Sequence, residues 1–205
     1  MEERDSLAAL HRQMRACLRC LEEGHLITPG AVFSGVATAE VMVVGQAPGI
    51  TEVEAGRPFN GSSGRRLFEW LAETGWQEIE FRATQYMTAI TKCYPGRGRG
   101  GKGDRVPKRS EQKLCAPFLD QELALVRPKI ILPVGGLAIR RFLGAVPLVE
   151  VVGKALPGED GQWIVPLPHP SGANLWLNQP ANRERVAQAL AHLSRLWQCL
   201  GISPS

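Results

Sequence analysis

An α/β fold is predicted for this 205-residue chain, a single domain with a central, mostly parallel sheet and helices on both faces. Three observations predict it. The runs Val41 to Gly45 and Ile130 to Gly135 are short, apolar and β-branched without polar alternation, the pattern of strands covered on both faces. Segments with helical spacing stand between such runs, so strand and helix alternate. No internal repeat or linker divides the chain, and its length suffices for a proper core.

The first helix is predicted over 5–23, with Leu7, Leu10, Met14, Cys17, Leu18 and Leu21 at helical steps. Cys17 and Cys20 stand on it one turn apart, as a buried apolar pair or as two ligands facing one centre. After a loop comes the strand from Val41, which ends abruptly at Gly45-Gln46-Ala47-Pro48-Gly49. Gly45 permits close ligand approach, and Pro48 holds the chain off the helix that should follow. Gln46 is then an amide at the carboxyl end of a strand, where open α/β sheets bind ligands. The plain alternative is an ordinary turn with a surface Gln. A Gly- and Ser-rich stretch, Glu54 to Arg66, leads into an amphipathic helix over 64–74 with Leu67, Phe68 and Leu71 inward. Such a loop offers backbone donors to a phosphate or a base, but its spacing matches neither a Walker loop nor a dinucleotide fingerprint. Phe59, between Pro58 and Asn60, suits either local packing or stacking.

A second strand is predicted over 85–91, ending at Lys92-Cys93. Lys92 to Lys113 holds eight basic residues against two acidic ones, +6 locally, so the rest of a chain of net charge +4 is slightly acidic. Such a segment is a solvated surface or a phosphate contact, and the concentration of charge favours phosphate, with Lys92, Arg97, Arg99, Lys102 and Arg105 as candidates. Further on, helices are predicted over 110–126, 137–143 and 183–200, and short strands over 149–152 and 163–166. His169 stands between two prolines, a poor setting for a core residue on a helix face.

A hydrophobic content of 44% with 21% charged residues describes a soluble globular protein. No apolar run approaches bilayer length, and the charged start, Met-Glu-Glu-Arg-Asp, is unlike a signal peptide. A cytoplasmic location is expected. Five cysteines there do not form a disulfide framework. The pI near 8.9 permits a nucleic-acid partner without demanding one.

Taken together, Gly45 to Gly49, Gly56-Arg57-Pro58-Phe59-Asn60-Gly61, Lys92-Cys93 and His169-Pro170-Ser171 resemble the uracil-DNA glycosylase superfamily, most of all its family 4, the iron-sulfur type. The resemblance runs from Cys17 to the last helix. It implies a monofunctional, monomeric repair enzyme that flips uracil out of DNA and hydrolyses its N-glycosidic bond. It also implies that Cys17, Cys20, Cys93 and Cys115 hold a 4Fe-4S cluster with a structural role. By softness thiolates suit zinc equally, but a zinc ribbon would show a second Cys-x-x-Cys, whereas 21 residues separate Cys93 from Cys115. Cys199 is left as a core residue. His169 would donate to the departing base, and Gln46 and Ala47 would hold the water or the base. Phe59 would stack on the base, with Asn60, Ala89 and Ser171 in its pocket, and Leu175 or Trp176 would wedge into the minor groove.

Two departures bear on activity. Family 4 usually has Glu where this chain has Gln46, and an amide orients water without taking its proton. The family's Asn that reads the uracil edge corresponds to Ala89. Two alternatives therefore stand beside uracil excision: release of another deaminated base, hypoxanthine or xanthine, or a non-catalytic iron-sulfur DNA-binding protein. The stretch from Tyr94 to Leu114 has no His to trap uracil covalently, and neither pocket loop has a lysine for lyase chemistry.

Overall fold

Val41–Gly45 forms the middle strand, β1, and every residue of it is buried because both faces are covered. In this computed structural model, residues 2–98, 100, 103–172 and 174–202 are described, with side chains from Ser6 onward. β2 (Tyr86–Ala89) and β3 (Ile130–Pro133) flank β1 in parallel. β4 (Leu156–Pro157) forms the far edge, antiparallel to β5 (Trp163–Ile164), which runs parallel to β3, so the order is β2-β1-β3-β5-β4. The predicted α/β architecture is present. Among the described residues no helix is long and apolar enough to cross a membrane.

Alternation along β1 divides the core. Val41 and Val43 face α4 (Ser62–Glu73) and α9 (Pro180–Leu200), which supply Leu67, Leu71, Leu193 and Trp197. Met42 and Val44 face α1 (Glu2–Arg15) and α6 (Arg109–Val126), which supply Leu10, Met14, Phe118 and Leu119. Gln85 pins the start of β1, its Oε1 accepting from the backbone N–H of Val41 at 2.9 Å and of Glu40 at 3.2 Å.

Several boundaries differ from expectation. The first helix stops at Arg15, and α2 (Arg19–Glu22) follows, so Cys17 lies in the break while Cys20 is helical. Leu18 and Leu21 are exposed, so the apolar stripe ends at Met14. α3 (Ile50–Ala55) and α5 (Glu78–Thr84) were not expected; α3 begins directly after Pro48-Gly49, with Glu52 reaching back to the Gly49 N–H. α7 (Gly136–Leu143) matches its expectation, but the strand predicted over 149–152 is the helical turn α8 (Leu148–Val151). An apolar run this short does not distinguish the two by pattern. Cys199, expected in the core, is exposed on α9.

Lys92 corrects a larger expectation. It was a candidate phosphate contact, but its side chain is 2% exposed and pairs with Glu122, which is fully buried on α6. Its three ammonium hydrogens meet three acceptors: Glu122 Oε2 at 2.6 Å, Thr88 Oγ1 at 2.8 Å and the Ala89 carbonyl at 2.6 Å. Thr88 and Tyr86 donate in turn to Glu122 Oε1, at 2.9 and 3.1 Å. His11 Nε2 lies 2.8 Å from the Tyr86 oxygen and donates to it, since the Tyr86 proton is used on Glu122.

Two predictions follow from this network. Glu122→Ala strands a buried ammonium and lowers stability by about 3 to 5 kcal/mol in urea titrations, whereas Lys92→Met with Glu122→Leu recovers most of that loss. Burial, assisted by Arg15, holds His11 down at about 4, below the ordinary 6.5. The unfolded chain therefore takes up that proton first as pH falls. The stability this contributes is full above 6.5 and is lost as pH falls toward 4, and His11→Phe removes that pH dependence.

Candidate active site

The carboxyl ends of β1 and β2 open into a cavity of about 550 Å³, the size of a small-molecule site. Six of the expected residues meet there: Gln46, Ala47, Phe59, Ala89, His169 and Ser171. Asn60 does not line it; Ser62 and Ser63, at the start of α4, do. Gly45 and Ala89 end adjacent strands in register, and a Cβ on Gly45 would stand 3.0 Å from Phe59 Cζ. The missing side chain lets the ring lie across the strand end.

Phe59 sits at φ 50°, a left-handed conformation that an aromatic residue holds only under constraint. Arg82 supplies it, donating to the Pro58 and Phe59 carbonyls at 2.8 Å each while its Nε bonds Glu78 at 2.8 Å. Its guanidinium also covers the Phe68 ring at 4.3 Å. A Cβ on Gly64 would overlap the Phe59 carbonyl, so α4 approaches only because that position is glycine. The Gly64 signal was visible as a glycine in the first turn of a helix. Arg82, on an unexpected helix, had no signal.

His169 is exposed at the pocket mouth, and its Nδ1 accepts the Ser171 N–H at 3.2 Å. Nε2 therefore carries the proton of the neutral ring. Asn174 fixes the same turn by donating to the His169 carbonyl at 2.8 Å, and Gly135 lets β3 approach, since a Cβ there would be 3.3 Å from the ring. Desolvation by the surrounding walls lowers the His169 pKa, outweighing the opposite pull of Glu52, so the neutral donor is the form present at pH 7. Beyond it, Leu175 is 75% exposed on a 3-10 turn (Leu175–Asn178) and is free to act as a wedge. Trp176, the other wedge candidate, packs inward against the core; neighbours on a tight turn point in different directions.

The basic segment is a hairpin rather than an open loop. Gly98 and Arg105 donate to the carbonyls of Gly103 and Gly96, both at 3.0 Å, and Arg97 pairs with Asp104 in antiparallel register. Arg97 is exposed as expected. Arg105 is not free for phosphate, since it makes two bonds to Glu111, at 2.6 and 2.7 Å, and one to the Leu26 carbonyl. Burial opposes ionisation of Glu111, but Arg105 and the Lys108 N–H outweigh it and hold the carboxyl below its ordinary range. Arg99 and Lys102 lie outside the described residues. Two pocket carboxylates, Glu52 and Asp104, were missed, because only the folded hairpin and α3 bring them there.

Cys17, Cys20, Cys93 and Cys115 line one small, largely apolar cavity between the break after α1, the end of β2 and α6. Burial first, and then mutual repulsion, push Cys20 up to about 11 and Cys93 up to about 12. Cys115 is raised by burial, and its sulfur accepts the Lys92 N–H at 3.3 Å. Among the described residues no three Cys, His, Asp or Glu side chains are already drawn together in metal-binding geometry. Convergence of four soft donors on one cavity nevertheless fits a thiolate-bound group, whose cations would reverse those shifts.

A family model described as the uracil DNA glycosylase superfamily matches residues 33–194. The Type-4 uracil-DNA glycosylase of Pyrobaculum aerophilum is 33% identical over 149 residues, 72% of this chain and 67% of that protein. That of Archaeoglobus fulgidus is 30% identical over 208 residues, 94% of each chain. That of Sulfurisphaera tokodaii is 32% identical over 131 residues, and this match spans 64% of this chain and 55% of that protein. The matched span takes in β1, the pocket loops and most of α9, and on that ground this chain belongs to the uracil DNA glycosylase superfamily.

Proposed function

We propose that the chain is a monofunctional uracil-DNA glycosylase that acts as a monomer on a flipped-out nucleotide. The observation that carries this reading is His169, held as a neutral Nε2–H donor in the same cavity as Phe59. Cleavage of the glycosidic bond leaves positive charge on the sugar and negative charge on the base, so the site must treat its two ends oppositely. Phe59 stacks on the base, His169 donates to its developing anion, and Gln46 with the Ala47 backbone orients the water. Leu175 fills the space vacated in the duplex, and Arg97 meets phosphate.

In this reading the four cysteines hold a 4Fe-4S cluster, and residues 1–205 act as one unit in the cytoplasm, where thiols stay reduced. The cluster supplies a structural cross-link among the N-terminal segment, the end of β2 and α6. Anaerobically purified protein should contain about four iron and four sulfide per chain, and Cys93→Ala should lose both and melt earlier. Stoichiometric zinc instead would assign these thiols to a zinc site.

Ala89 favours one variation on the reading. Without an amide on that wall, a uracil edge finds fewer directed partners, and hypoxanthine or xanthine becomes an acceptable occupant. Base release should be measured from otherwise identical oligonucleotides carrying uracil, hypoxanthine, xanthine or a normal base, single-stranded and paired. Uracil should be released, with His169→Ala slower by about 10²- to 10³-fold. Because its pKa is lowered, His169 should keep working below pH 6.5. Release of another base alone would make Ala89 the specificity switch, and binding without release of any base would overturn the enzymatic reading.

A further inference from the structure

The wall around Gly49 carries two carboxylates whose oxygens differ in what is left for them to do. Glu52 is committed: Oε2 accepts from the Gly49 N–H and the Thr51 hydroxyl, both at 3.1 Å, and Oε1 accepts from the Gly61 N–H at 3.3 Å. These bonds start α3 and tie it to the loop before α4. Asp104 arrives from the returning arm of the hairpin, with Oδ1 fixed by the Tyr94 hydroxyl at 2.9 Å. Its Oδ2 accepts no hydrogen bond from a described residue and lies 2.9 Å from the point where a Cβ on Gly49 would stand. Glycine at 49 is thus what gives this oxygen its place on the pocket wall. Gln46, on the same wall, can orient a water through its amide but cannot accept the water's proton.

We propose that Asp104 is the carboxylate that holds and deprotonates the attacking water. The inference rests on the hydrolytic reading of this pocket and deepens it. As the bond between C1′ and the base nitrogen breaks, its electron pair leaves with the base, which takes a hydrogen bond from His169 Nε2–H and then a proton from solvent. The water oxygen bonds to C1′, and the water's proton passes to Asp104 Oδ2 and on to solvent. One water is consumed, and a free base and a sugar hydroxyl are released. While ionised, Asp104 also stabilises the cationic sugar. The Tyr94 bond to Oδ1 leaves Oδ2 as the reactive oxygen.

The test compares wild type, Asp104→Asn and Tyr94→Phe in single-turnover uracil release across pH. Binding to an oligonucleotide bearing a non-cleavable 2′-fluorinated deoxyuridine, and melting temperature, are followed in parallel. Asp104→Asn should lower the rate by about 10²-fold or more and remove one ionisation from the acid limb, with binding and melting unchanged. Tyr94→Phe should slow release less than Asp104→Asn does, because Oδ1 is then no longer held and the carboxylate can turn away from the water. An Asp104→Asn enzyme with wild-type rate and acid limb would overturn the proposal, as would a slower one whose acid limb is unchanged and whose binding is weakened. A wild type that releases no base would instead refute the glycosylase reading, and this inference with it.

Discussion

The buried pair of Lys92 and Glu122 is the constraint on which the rest of the site depends. Taking a carboxylate and an ammonium out of water costs several kcal/mol per ion, and a close pair alone does not ensure recovery of that cost. Here Thr88, Tyr86 and the Ala89 carbonyl complete the coordination, so neither charge is left with idle hydrogen-bonding capacity at its core. The same residue serves both sites: the Lys92 ammonium grips the last carbonyl of β2 at the pocket, and its backbone N–H is given to the Cys115 sulfur. A well-packed apolar pair would fill the space and restore most of the stability lost when one partner is removed. It would leave the Ala89 carbonyl at the pocket without its ammonium partner, although the backbone N–H at position 92 would still reach the Cys115 sulfur.

The second loop is held by the opposite strategy, in which a strained residue is fixed from outside. A non-glycine residue in the left-handed region stores about 1 to 3 kcal/mol, which surrounding contacts must outweigh. Arg82 bonds to two successive carbonyls there, and Gly64 leaves room for α4 to come up beneath. The ring of Phe59 is therefore positioned before any ligand arrives. Preorganisation of this kind removes an ordering cost from binding.

Legibility in the sequence followed the nature of each signal. The strand ending at Gly45 and the turn around His169 were readable because glycine and proline impose local geometry wherever they stand. The sheet was readable because β1 and β3 are uninterrupted apolar runs. Lys92 was misjudged because counting charge along a segment does not register that one member points into the core. Trp176 and Leu175 were indistinguishable because adjacent residues on a turn differ only in direction, which tertiary packing decides. Arg82, Glu52 and Asp104 left no local trace: α3 and α5 are short, and the hairpin exists only through pairings across its own glycine-rich arms.

Charge within the pocket runs against the charge of the surface that carries it. The hairpin is basic, as a segment facing phosphates should be, yet Asp104 on its returning arm is turned toward the cavity and Glu52 lies across Gly49 from it. Two carboxylates in a cavity meant for nucleic acid would repel a phosphate, so their value must lie with a different part of the ligand. A sugar approaching a cation is such a part. Glu52 and Asp104 put negative charge on the wall around Gly49 and His169 offers a neutral donor in the same cavity, so a nucleotide held with its sugar toward the acids and its base toward His169 would meet a field that moves electrons from sugar to base. Such a field costs no reorganisation when the bond breaks, since Glu52 is fixed by backbone N–H groups, Asp104 by Tyr94 and His169 by Ser171. An amide at Gln46 is compatible with this arrangement, because the negative end of the field is supplied from α3 and the hairpin rather than from the loop after β1.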